Sequence, residues 1–179
     1  AFIAQQDMRF DTLPQGWHEA PHFGNAMVGS MLYCQDGKLR LQVFRQDVQD
    51  HRDARYGWAA YSRPRFMIGY FQLDTLGTPT GCDWHKDLWN AQLTGTITTD
   101  AGTIAIHHFV HAHDMAIVTA LMPSGGEAGC GWSWHPHPAE TTRGDYPREK
   151  ADLDAYAQRY GERHRETIKL HTPNPEGRL

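Results

Sequence analysis

Between residue 27 and about residue 122 the chain is a succession of short apolar runs separated by turn residues. No helical period lies between them. That pattern constrains the fold more than anything else in the sequence, because it leaves little room for anything but an all-β, antiparallel, two-layer β-sandwich. Residues 27–34 read as a strand. Gln35-Asp36-Gly37-Lys38 follows, and Asp-Gly between apolar runs signals a hairpin. Leu39, Leu41 and Val43 then alternate with Arg40 and Gln42, as a half-buried strand requires. Residues 66–73 are the next expected strand, closed by Gly77, Pro79 and Gly81. Residues 87–99 are read as one strand running into Asp100-Ala101-Gly102, residues 103–111 as another, and residues 116–121 as a third after a turn at Asp114-Met115.

Residues 123–145 are rich in Gly, Pro, Ser and Thr and are expected to form a long loop. The tail differs. Leu153, Tyr156, Ala157 and Tyr160 stand at helical spacing, and Pro173, Pro175 and Gly177 give the end a linker-like composition. The expected division is a β-sandwich domain over residues 1–145 and a short helical or linker segment over residues 146–179 that leads towards a further domain.

Composition removes several classes of function. With 17 basic and 21 acidic residues the formal charge is −4, and no basic stripe stands out, so nucleic acid is not an expected partner. No stretch approaches the roughly 20 apolar residues of a membrane span. Residues 1–7 have neither the charged leader nor the long apolar stretch of a signal peptide, and are compatible with the start of a mature chain. The cysteines, Cys34, Cys82 and Cys130, are odd in number and far apart, which excludes a C-x-x-C site and leaves a disulfide open. G-x-S-x-G, the phosphate loop, the dinucleotide fingerprint and H-E-x-x-H are all absent, and no cofactor is expected.

The sequence is enriched in two residue types, with 12 histidines and 6 tryptophans. His107, His111 and His113 would share one face of a strand and His108 the other. His111 and His113, two residues apart, could both reach one metal ion, or could line a polar strand end. Trp132 and Trp134 would point the same way on an extended segment. They are either a stacking surface for a sugar ring or a cap on the core. Asp83-Trp84-His85-Lys86-Asp87-Leu88-Trp89 crowds charge, imidazole and indole together. Asp83 and Asp87 could pair as general acid and base, or Asp87 could cap a strand start.

Three ordered stretches resemble the opening domain of glycoside hydrolase family 95 proteins. Residues 13–31 contain Trp17 and Pro21-His22-Phe23-Gly24-Asn25-Ala26, similar to the family's P-x-G-N-G element. Residues 39–50 resemble the strand after it. Residues 87–102 and 109–118 resemble its later hairpin region. Ala26, Gln49, His111 and His113 depart from the family pattern. The resemblance implies a supersandwich-like two-layer β domain that is itself non-catalytic. It would be secreted or periplasmic and pack on an (α/α)-barrel of the same polypeptide, which carries the catalytic carboxylates. The whole enzyme would act on α-L-fucosides or α-L-galactosides. Carbohydrate would be met by a loop around Gly24, Asn25 and Ala26, with Arg45 and Asp47 on its rim. Two alternatives stand beside this reading. One is a free carbohydrate-binding module using Trp132, Trp134, Trp84 or Trp58. The other is a cupin-like metal protein centred on His111 and His113.

Overall fold

The computed structural model describes residues 2–49, 65–137 and Gln158. After a 3-10 turn at Ile3–Gln6 come ten strands: β1 (Met8–Phe10), β2 (His22–Gly24), β3 (Val28–Gln35), β4 (Lys38–Arg45), β5 (Gly69–Asp74), β6 (Pro79–Asp87), β7 (Gln92–Thr99), β8 (Gly102–Val110), β9 (Ile117–Gly125) and β10 (Gly131–Pro136). They form two five-stranded antiparallel sheets, β1-β6-β7-β8-β9 and β10-β5-β4-β3-β2. The fold is the all-β sandwich that the alternation predicts.

Strand alternation sorts the residues. In the second sheet the row Cys34–Leu39–Leu73–Trp132 lies in register across four strands, and so does Leu32–Leu41–Phe71–Trp134. In the first sheet Trp84–Gly95–Ile106–Leu121 and Cys82–Ile97–Ile104–Pro123 do the same. Most of these inward residues belong to one core, in which Leu39, Leu73, Trp84, Leu93, Ile97 and Ile104 are completely enclosed, while Phe71, Trp134 and Pro123 towards the row ends stay exposed. Each such side chain is worth about 1.5–3 kcal/mol of burial. Asp36 (φ 53°) and Gly37 (φ 72°) both take left-handed backbone between β3 and β4, as the two-residue hairpin turn signalled by Asp-Gly demands. At Gly95, φ is 149° and a Cβ would stand 2.0 Å from the Asp83 carbonyl oxygen, so only glycine lets β7 pair with the β6 backbone opposite Trp84.

Three expectations are corrected. Where the sequence offers Pro79 and Gly81 only as turn residues closing the strand before them, residues 79–87 form a full strand. Its inward set is Cys82, Trp84 and Lys86, and a lysine among them hides the period. The strand expected over residues 87–99 is broken at residues 88–91, where the Asp87 carboxylate accepts from the backbone N–H of Trp89 and of Asn90, each at 2.9 Å. Asp87 thus caps a turn rather than a strand start. The long loop expected from residue 123 contains the end of β9 and all of β10.

Compactness divides the chain into residues 1–45 with 69–136, which is the sandwich, and residues 46–68 with 137–179. In the second unit, Gln49 pairs with Arg65 in a single bridge, and the Phe66 N–H donates to the Val48 carbonyl at 3.0 Å. The expected tail helix and the linker lie outside the described residues, apart from Gln158, which is helical and exposed.

Candidate functional site

Chemistry-bearing side chains gather at one end of the sandwich interior. The row Met8–Lys86–Leu93–His108–Thr119 crosses all five strands of the first sheet. Facing it, Phe23 and Ser30 are partners on β2 and β3. His108 continues the inward phase of Ile104 and Ile106, so the strand carries an imidazole into the core. Its Nε2 lies 2.8 Å from the Ser30 hydroxyl and its Nδ1 2.8 Å from the Thr119 hydroxyl. A neutral imidazole donates through one nitrogen and accepts through the other, and two hydroxyls can serve either arrangement. Burial holds the His108 pKa down at about 4, and nearby His107 acts in the same direction. The ring also meets Phe23 edge-on, with centroids 5.0 Å apart.

The Ser30–His108 distance is that of a nucleophile and its base. Here, however, both residues are wholly enclosed, and the imidazole is oriented by a hydroxyl rather than a carboxylate. The three residues act as a polar tie from the second sheet to β8 and β9 of the first. Lys86 lies close by, with Nζ 5.1 Å from the centre of the Phe23 ring. Burial lowers its pKa, and its charge in turn is the main cause of a lowered pKa at His22.

Asn25 stands between β2 and β3. Its Nδ2 donates to the carbonyls of His111 (2.9 Å) and Asp114 (3.0 Å), and its Oδ1 accepts from the N–H of Met27 (3.1 Å) and Val28 (3.0 Å). All four hydrogen-bonding positions of the amide are therefore used within the chain. Arg45 ends β4 opposite Val28, Asp47 follows it and is exposed, and both take part in further interactions.

His111 and His113 fall beyond the end of β8, so the shared strand face expected of them with His107 does not exist. His111 Nδ1 lies 3.0 Å from the Asp114 N–H and 3.1 Å from its carboxylate. The His111 and His113 rings are 6.3 Å apart and edge-to-face. Among the described residues no three His, Cys, Asp or Glu side chains converge as a metal set. The first member of the expected Asp83–Asp87 pair lies on the outward face of β6, and the second is occupied with its turn.

The tryptophans separate. Trp84 is fully buried, which removes it as a sugar platform, because a ring without a free face cannot stack. Among the described residues its Nε1 has no hydrogen-bond partner. Trp132 packs on the core. Trp134 is 42% exposed and tilts 53° against Phe71, itself 36% exposed, at 4.8 Å between centroids. Trp58 lies outside the described residues.

A last buried group carries no local mark of burial in the sequence. Glu127, wholly enclosed, accepts from the N–H of Leu76 (2.9 Å) and Gly77 (2.8 Å) and from the Thr99 hydroxyl (2.6 Å). Desolvation pushes its pKa up, but these three hydrogen bonds outweigh it and the net displacement is downward. It ties the β5–β6 turn to the end of β7. No family model matches this chain, and no curated protein is significantly similar to it.

Proposed function

We propose that the chain is a non-catalytic accessory β-sandwich of a glycan-degrading enzyme, secreted or periplasmic, which packs on a catalytic barrel of the same polypeptide. The outward face of β8 and β9 carries this reading. There Phe109 and Val118 are partners, and Ala120 and Met122 continue the strip along β9. Val118 is 39% and Met122 60% exposed. Residues 115–126 contain no charged side chain, and among the described strands β9 is one of the two edges of its sheet. Natural edge strands are commonly protected by charge, so an uncharged apolar one is suited to being covered. The barrel would cover it. The encoding reading frame should continue past Leu179 into several hundred further residues rich in helix. In that longer protein, Val118→Lys with Met122→Lys should speed proteolytic cleavage between sandwich and barrel. A frame that stops at Leu179 sinks the proposal.

A second reading, a free carbohydrate-binding module, is favoured by the exposed Phe71–Trp134 pair. An apolar ring face of this kind can pack against the C–H groups of a sugar. Oligosaccharide titration followed by tryptophan fluorescence tests it: binding should be lost in Trp134→Ala, and equal binding by that variant excludes the platform.

A further inference from the structure

Four connections meet at one end of the sandwich, and each holds one large apolar side chain in solvent. Phe2, in the lead-in to β1, is 77% exposed, Trp89 of the β6–β7 turn 63%, Met115 of the β8–β9 loop 54% and Met27 of the β2–β3 turn 37%. Strand pairing sets them at the same end: Met8 opens β1 opposite Lys86, and the row Asp87–Gln92–Phe109–Val118 closes the sheet beneath the β6–β7 and β8–β9 connections. Hydrogen bonds then tie the connections in pairs. The Leu88 N–H donates to Asp7 at 2.9 Å, and the Asn25 amide reaches the carbonyls of His111 and Asp114.

The polar groups of these turns are spent within the chain. The N–H groups of Leu88, Trp89 and Asn90 end on the carboxylates of Asp7 and Asp87, those of Met27 and Val28 on Asn25, and that of Asp114 on His111. Residues 2–6, 24–28, 88–92 and 111–116 contain no Lys, Arg or Glu, and their single charged side chain is Asp114.

We propose that this end of the sandwich docks on a phosphatidylcholine membrane surface, with Phe2, Trp89, Met115 and Met27 entering the headgroup layer. Side chains that project from four separate turns need no matching cavity in a fluid interface, whereas a folded partner would have to supply one for each. An indole settles at headgroup depth, where one side of it meets apolar chains and the other water. Turn N–H groups that are already bonded lose little where water is scarce. Charge selects the lipid. The quaternary ammonium of choline is attracted to an aromatic face and to carboxylates, and Asp7, Asp87 and Asp114 stand at these turns with no cation of their own to attract an anionic lipid. Docking here is independent of any partner on the outward face of β9.

The test is co-sedimentation of the whole chain with phosphatidylcholine vesicles. The wild type should bind saturably, Trp89→Ser should need about ten times as much lipid, and Trp89→Ser with Met115→Ser about a hundred times. Both positions are exposed, and unchanged far-ultraviolet circular dichroism checks that the variants fold. Phosphatidylglycerol vesicles should bind severalfold more weakly. In a second measurement, phosphatidylcholine brominated at the headgroup end of its chains should quench tryptophan fluorescence in the wild type and leave Trp89→Phe, which still binds, unquenched. No sedimentation with phosphatidylcholine, equal binding by Trp89→Ser, tighter binding to phosphatidylglycerol, or equal quenching of Trp89→Phe overturns the proposal. A dimer in the absence of lipid that Trp89→Ser dissolves also overturns it, because a second copy would then cover this end.

Discussion

Lowering the pH from 7 to 4 should strip stability from the sandwich chiefly through one side chain. His108 is wholly enclosed, with a pKa near 4 against an ordinary value of 6.5. As the pH falls below 6.5 the unfolded chain takes up the proton first, while the folded chain refuses it until about pH 4. The stabilisation is therefore complete above pH 6.5 and fades through the window from 6.5 to 4. Over that gap the loss amounts to about 3 kcal/mol. With a urea m-value of about 2 kcal/mol/M the unfolding midpoint should fall by about 1.5 M. The assay is urea unfolding at several pH values across the window, followed by tryptophan fluorescence. The comparison is His108→Gln, which can still hydrogen-bond Ser30 or Thr119 but cannot titrate. Carboxylates such as Glu127 contribute equally to both proteins, so the difference between the two curves isolates the imidazole. The wild-type curve should fall steeply, and the variant curve should lack about 3 kcal/mol of that fall. Two parallel curves would refute the assignment of a neutral, buried His108.

Other substitutions probe the remaining ties. Glu127→Ala leaves two backbone N–H groups without their acceptor and leaves the Thr99 hydroxyl only the longer bond to the Gly102 carbonyl, and should cost about 2–4 kcal/mol, read from thermal unfolding. Asn25→Ala removes two hydrogen bonds from the β2–β3 turn to the segment after β8 and two more within the turn itself. It should cost about 1–2 kcal/mol and speed amide exchange at Met27 and Val28, whereas Asn25→Asp should keep those two amides protected. Gly95→Ala should destabilise by about 3 kcal/mol or more, seen as a lowered unfolding midpoint, since its Cβ would meet the backbone of Asp83.

The candidate sites were legible only in part. Asn25 stands out beside a glycine as a turn residue, yet whether its amide is free or spent depends on two carbonyls 86 and 89 residues away. The inward phase of His108 can be read from Ile104, Ile106 and Val110, but that phase does not say that Ser30 and Thr119 would be waiting. Glu127 sits among small, polar and glycine residues and carries no local mark of burial. It is enclosed because two turns and a strand end close over it.

By itself the sequence determined the sandwich class, the Asp36-Gly37 hairpin and the inward set of β4, because strand alternation and left-handed turns are local properties of backbone and side chain. Tertiary structure alone decided that Trp84 is buried and Trp134 exposed, that a lysine belongs to the inward row, and that a serine and a threonine complete an imidazole. Those outcomes depend on which strands become neighbours across and within the two sheets. Partners brought together over many residues leave no trace in the spacing of any one segment.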